Sequence, residues 1–171
     1  MRMISVLLWL LSQSVTAQEI KIEYDKKHDF SKYETFSFGE SSVIASSNQK
    51  QVTDVTFDKW IKNGVRRELE YKGMKQVDSL ADLIITYAFV RTPLLDVEPT
   101  GPLGMTPDSN DRTWSRTYTE STLIIDLNNR NSLLIWRVKA EFDTAGRSAE
   151  SVIDMIIARG FKKFGKGKKR K

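Results

Sequence analysis

Leu83-Ile84-Ile85-Thr86-Tyr87-Ala88-Phe89-Val90 is the stretch whose reading decides the fold. It is apolar almost throughout, rich in β-branched and aromatic side chains, and interrupted only by Thr86. Such a run predicts a central β-strand, buried on both faces over much of its length. Just before it, Phe57, Ile61, Val65 and Leu69 recur every fourth residue, while Asp58, Lys62, Arg66, Arg67, Glu68 and Glu70 occupy the other sides. That spacing predicts an amphipathic helix from about Thr53 to Tyr71, whose single apolar stripe needs a sheet to cover. Thr53 or Asp54 can cap its start, and Lys72-Gly73 supplies its stop.

Outward from this pair, Ile20, Ile22 and Tyr24 alternate with charged residues, and Phe36 and Phe38 flank Ser37, so two short strands are expected on the N-terminal side. Asp25 to Asp29 reads as a polar turn and Gly39 to Gln51 as a loop, while Met74 to Val77 reads as a short lead-in strand. On the C-terminal side all four prolines fall between Thr92 and Arg112, which predicts a long surface loop. Ser121 to Leu127 and Leu133 to Phe142 read as a hairpin joined by Asn128 to Ser132. Leu134, Trp136, Val138, Ala140 and Phe142 share its apolar face. Trp114 and Tyr118 have the opposite parity to Leu123 and Ile125, and a β-bulge between Glu120 and Thr122 would accommodate the mismatch. A second helix is expected from Ala149 to Phe164, capped by Ser148. The expected class is α+β, a mainly antiparallel sheet with two helices packed on one face.

The ends of the chain differ in character from this body. Arg2, the apolar run Met3 to Leu11 and the small polar residues up to Ala17 have the order of an export signal, with cleavage expected between Ala17 and Gln18. The apolar run is far shorter than the roughly 20 residues that span a bilayer. Arg159, Lys162, Lys163, Lys166, Lys168, Lys169, Arg170 and Lys171 close the chain with no carboxylate among them. Setting these and Arg2 aside leaves an acidic body, so the net charge of +5 belongs to the tail. The expected organisation is a signal over 1–17, one domain over 18–164 and a basic, disordered tail over 165–171. There is no cysteine, which excludes disulfides, thiol chemistry and a lipidated cysteine.

Residues for catalysis are scarce. His28, the sole histidine, sits in the polar turn between Lys27 and Asp29, where no spaced nucleophile accompanies it, and reads as a solvated turn residue. Asp96, Glu98, Asp108 and Asp111 lack calcium-loop spacing. Asp126 is expected to bond backbone amides at the hairpin mouth. Gly160, Gly165 and Gly167 close a helix and do not open one, so no phosphate-cradling loop is present. Trp114, Arg116, Tyr118, Arg137 and Lys139, with Lys168, Lys169 and Arg170 of the tail, combine aromatic and cationic groups into a candidate interaction surface. No catalytic, cofactor-binding or metal-binding residue is assigned.

Four segments in order carry a resemblance. They are Tyr24-Asp25 through Asp29-Phe30-Ser31-Lys32-Tyr33-Glu34-Thr35-Phe36, then Ala81-Asp82-Leu83-Ile84-Ile85-Thr86-Tyr87, then Thr122-Leu123-Ile124-Ile125-Asp126-Leu127, and Leu134-Ile135-Trp136-Arg137 with Ala140. Together they resemble the bacterial envelope family called domain of unknown function 4136. The resemblance implies an exported α+β domain without assigned catalytic residues. It departs from the family at Thr122 and Val138, where glycines are common, and in having Gln18 where many members carry a lipidated cysteine. The expectation is an exported, periplasmic or outer-membrane-associated, non-enzymatic binding or scaffold domain. Its partner would be an envelope protein or an anionic membrane or polysaccharide surface, with no nucleic acid and no transmembrane segment. The alternatives are a binder of a small apolar or lipid-like ligand between sheet and helices, and a hydrolase with an unrecognised site.

Overall fold

The computed structural model describes residues 19–45, 53–98, 114–144 and 146–165. Seven strands and two helices follow in the order β1 (Glu19–Tyr24), β2 (Thr35–Phe38), β3 (Ser42–Ala45), α1 (Asp54–Tyr71), β4 (Lys75–Gln76), β5 (Leu83–Glu98), β6 (Trp114–Asn129), β7 (Leu134–Phe142) and α2 (Ala149–Phe161), with a 3-10 turn at Phe30–Lys32. The strands form one sheet in the order β1-β7-β6-β5-β2-β4, and β3 also pairs with β5.

The sheet is mixed: the expected α+β class holds, and beside the antiparallel strands of the mainly antiparallel sheet that was expected stand parallel pairings. β1, β7, β6 and β5 are antiparallel neighbours, whereas β2 and β3 both run parallel to β5 and β4 parallel to β2. The reason is the helix between them. A strand that continues into α1 and returns over the sheet comes back as a parallel crossover, because a tight hairpin is the connection that makes antiparallel neighbours. β2 covers Leu83 to Ile85 and β3 covers Ala88 to Arg91, in series along one edge of β5. Gly39 lies between them, its amide donating to the Ile85 carbonyl at 2.8 Å. The Gly39 to Gln51 loop thus contains a strand, and 46–52 lie outside the described residues.

β5 is buried on one face, not two. Leu83, Ile85, Tyr87 and Phe89 are buried while Ile84, Thr86 and Ala88 are half-buried and Val90 is exposed. Two helices occupy the buried side. Phe57, Ile61, Val65 and Leu69 of α1 and Val152, Ile153, Ile156, Ile157 and Phe161 of α2 form one cluster with Leu123, Ile125, Leu127, Trp136, Val138 and Ala140 of the sheet. Each fully buried aliphatic or aromatic side chain contributes about 1.5–3 kcal/mol. α1 ends in a Schellman motif at Gly73, whose φ is +87°. The Gly73 amide donates to the Glu70 carbonyl at 2.8 Å and that of Met74 to Leu69 at 3.1 Å. Thr53 holds the N-cap position of α1 without a side-chain cap bond, while Ser148 Oγ caps α2 by accepting from the Ser151 amide at 3.2 Å.

Two further expectations change. β5 and β6 pair without interruption from Leu83/Asn129 to Glu98/Trp114, so the strand continues to Glu98 and no bulge occurs between Glu120 and Thr122. Residues 92–98 of the proline-rich segment belong to β5, which corrects the expected loop there, and 99–113 lie outside the described residues. Proline is tolerated at 93 because β5 has no neighbour opposite β6 past Arg91 among the described residues. The bulge falls instead on β7. Leu127 faces Trp136 and Asn128 faces Leu134, which leaves Ile135 as the extra residue. Ile135 and Trp136 are therefore both buried, and Leu134 is exposed.

Val138, one of the departures from the family pattern, meets a glycine on the opposite element. A Cβ at Gly160 would lie 2.7 and 2.8 Å from the two γ-methyls of Val138. Valine is stiff at χ1 and cannot swing aside. Gly160→Ala is therefore expected to lower stability by about 1–3 kcal/mol in urea denaturation, and an unchanged midpoint would show that α2 does not press on β7 at this point.

Candidate functional site

The polar side chains with the most partners stand where elements meet. Asp82, immediately before β5, accepts hydrogen bonds from the backbone amides of Glu34 and Thr35, both at 3.0 Å, and from Thr35 Oγ1 at 2.9 Å. The Asp82 amide in turn donates to Thr35 Oγ1 at 2.9 Å. Arg130, from the β6–β7 turn, reaches Asp82 Oδ1 at 3.1 Å and the Ala81 carbonyl at 2.9 Å. Burial raises the Asp82 carboxyl, but the hydrogen bonds from Glu34 and Thr35 and the Arg130 guanidinium outweigh it and hold the group below the usual carboxylate range. One carboxylate thus joins the start of β2, the start of β5 and a hairpin tip nearly 50 residues along the chain.

On the sheet face away from the helices, Arg137 of β7 and Asp126 of β6 are register partners joined in a bidentate pair of 2.7 and 2.6 Å. That hydrogen bonding raises the Arg137 pKa, with Glu23 adding a smaller contribution. Asp126 is therefore an inter-strand tie, which corrects its expected place at the hairpin mouth. Asn129 takes that place, its Oδ1 accepting from the amides of Asn131 at 2.9 Å and Leu133 at 3.0 Å, and Ser132 adopts the positive φ of +58°. Lys139 pairs with Glu141 at 2.8 Å and Lys21 with Glu19 at 3.2 Å. The hydrogen bond between Lys139 and Glu141 raises the one pKa and lowers the other.

On the helix side, Tyr87 Oη donates to Asp58 of α1, which also pairs with Lys62 at 3.0 Å. Burial first, and then the Asp58 carboxylate, push the Tyr87 phenol above its usual range. Burial raises Asp58 as well, yet Tyr87 and Lys62 together hold it below its ordinary value. His28 is more than a solvated turn residue. It is half-buried, its Nε2 is 2.8 Å from Tyr33 Oη, and its ring stacks on Tyr33 with centroids 5.7 Å apart. Asp25 and Asp29 accept instead from the amides of Lys27 and Ser31, at 2.8 and 2.9 Å. Among the described residues no three of His, Asp and Glu gather where they could hold a metal ion.

The candidate interaction surface divides. Arg137 and Lys139 lie on β7 with their charges matched by Asp126 and Glu141. Trp114, Arg116 and Tyr118 lie on the distal part of β6, at register positions opposite Glu98, Asp96 and Leu94. Tyr118 is eight residues from Asp126 along one strand, about 26 Å at the rise of an extended chain. Lys168, Lys169 and Arg170 lie outside the described residues. Sequence reasoning missed what lies between these groups. Ile44 of β3 and Val90 of β5 are register partners, 58% and 40% exposed, beside the half-buried Ala88 and Ile124, which also face each other. Alternation along β5 was the available signal, and the apolar character of Ile84, Ala88 and Val90 concealed it.

A mixed seven-stranded sheet with both helices on one side and charge-matched ties on the other defines an α+β domain whose second sheet face is covered by no helix among the described residues. The family model described as a domain of unknown function, DUF4136, matches residues 20–164, and the chain belongs to that family. No curated protein matches it. A DUF4136 family protein from Bacteroides thetaiotaomicron is similar in structure at 13% identity and a TM-score of 0.50, over 85% of this chain and 94% of that one. PelC from Paraburkholderia phytofirmans, a dodecamer, is similar at 9% identity and a TM-score of 0.50, over 85% and 95%. A PDZ domain protein from Parabacteroides distasonis is similar at 15% identity and a TM-score of 0.56, over 87% of this chain but 36% of that one. At such identities the likeness is one of fold.

The Asp82 contacts carry a pH dependence. A carboxyl whose pKa is depressed on folding contributes stability above its unfolded value, near 3.8, and that contribution disappears as pH falls through the folded value. Asp82→Asn is expected to cost about 1–3 kcal/mol at neutral pH. The gap between wild type and variant should narrow in denaturation curves taken below pH 3.8, whereas a gap constant with pH would place the loss elsewhere.

Proposed function

We propose that this is an exported, non-enzymatic domain of the bacterial envelope that binds a protein partner through the open face of its sheet. The observation that carries this reading is the exposed Ile44 and Val90 beside Ala88 and Ile124, on the face that the helices leave uncovered. Apolar side chains grouped on a sheet face and bordered by polar ones are the usual composition of an interface core and rim. The border here is made of charges already matched, Arg137 with Asp126 and Lys139 with Glu141. Such a border docks without stranding an ion.

Export is supported by the order of residues 1–17, basic, then apolar, then small and polar. Among the described residues no helix is long and apolar enough to cross a membrane. The non-enzymatic reading is supported by how the polar groups are used. Asp82, Asp58, Tyr87 and Asp126 each hold two structural elements together. The dodecamer formed by the structural neighbour PelC favours self-association as the form that binding takes.

The test is crosslinking in intact cells followed by mass spectrometry. A crosslinked envelope species, either a second copy or another protein, is expected with the wild type. Ile44→Glu combined with Val90→Glu should remove that species while changing stability by no more than about 0.5 kcal/mol, as exposed substitutions do. Recovery of the free monomer alone from wild-type cells, or an unchanged crosslink in the variant, would contradict the proposal.

A further inference from the structure

The two ends of the sheet are unlike. At one end β4 is two residues long, Lys75–Gln76, and so short an edge offers little for another strand to pair with. At the other end β1 pairs with β7 over all six of its residues, without a bulge or a proline, and β7 is its only strand neighbour among the described residues. The outer row of N–H and C=O groups on β1 is therefore a template for a further strand.

The side chains of β1 indicate which strand. Ile20, Ile22 and Tyr24 pack against the core on the helix side yet are only half-buried, while Glu19, Lys21 and Glu23 alternate with them and are exposed. Toward β7, two of the three charged residues meet their like: Glu19 stands opposite Glu141, and Lys21 opposite Lys139. Like charges directly opposite are destabilising in a sheet. Here they are offset along their own strands, Lys21 by Glu19 at 3.2 Å and Lys139 by Glu141 at 2.8 Å. Glu23 faces Arg137, whose guanidinium is already held at two points by Asp126. The charge order of β1 is thus poorly matched to its inner neighbour.

It is well matched to itself. Two β1 strands related by a twofold axis run antiparallel, and an axis passing between residues would set apolar side chains against charged ones. An axis at Lys21 would oppose Lys21 to Lys21 and Glu19 to Glu23. An axis at Ile20 would pair only Glu19 to Lys21. With the axis at Ile22, Lys21 meets Glu23 twice, Ile20 meets Tyr24 twice and Ile22 meets its own copy. We infer that two copies of this chain associate edge to edge through β1 in this register, joining their sheets into one and covering Ile20, Ile22 and Tyr24. β7 and β6 separate this edge from β5 and the exposed Val90, so the inference goes beyond the open-face reading and does not depend on it.

The test is sedimentation velocity over a concentration series, with Ile44→Glu and Val90→Glu present throughout so that the open face takes no part. A reversible equilibrium between monomer and dimer is expected. Lys21→Glu and Glu23→Lys should each weaken dimerisation roughly thirtyfold, because two attractions across the axis become two repulsions. An equimolar mixture of the two variants should recover the dimer, since every carboxylate at these positions again meets a cation, and a variant that had lost its fold could not be rescued in this way. A monomer at every concentration, a dimer indifferent to either substitution, or a mixture no tighter than the single variants would each overturn the inference.

Discussion

The register between β2 and β5 depends on Asp82. Parallel strands joined through a helix have no turn to set their alignment, and a slip of one residue would carry Phe36 from the core to solvent. Asp82 removes that freedom by accepting from two consecutive backbone amides, Glu34 and Thr35, so that Phe36 comes to lie beside Leu83. Arg130 brings the β6–β7 turn to the same carboxylate, which aligns the antiparallel half of the sheet with the parallel half. The core then follows. With the register set, Leu83, Ile85, Tyr87 and Phe89 face the stripes of α1 and α2.

This gives physical content to the four segments that carry the resemblance to the family. Asp82 of the second motif binds Glu34 and Thr35 of the first, and Asp126 of the third binds Arg137 of the fourth. Tyr24, which opens the first, stacks on Trp136 of the fourth. The motifs are thus one set of ties holding a single sheet. Among the described residues, Asp82, Asp126 and Arg137 are engaged in these ties, while Ile44 and Val90 stand exposed on the sheet face away from the helices.

Local order was legible in the chain, and long-range order less so. The period of α1, the cap of α2 and the hairpin after Leu127 could be read because each is decided by residues within a few positions of one another. The parallel pairing of β2 and β3 could not, since it is set by the crossover through α1 and by Asp82 contacts nearly 50 residues away. The four prolines concealed a strand reaching Glu98, because proline at an edge costs little. Ile135 disguised the alternation of β7, since a bulged residue and its successor are both buried. Of the candidate surface, Arg137 and Lys139 were found by composition, but their carboxylate partners depend on register. Ile44 and Val90 were missed because an uncovered sheet face and a core strand use the same apolar residues.

Amide hydrogen exchange compared between the wild type and Asp82→Asn tests the central claim most directly. If Asp82 sets the register, protection should fall sharply at Glu34, Thr35 and along the β2–β5 ladder from Ser37 to Ile85, while the β6–β7 ladder from Leu123 to Ala140 keeps its protection. Uniform loss across the sheet, or no loss at β2, would contradict it.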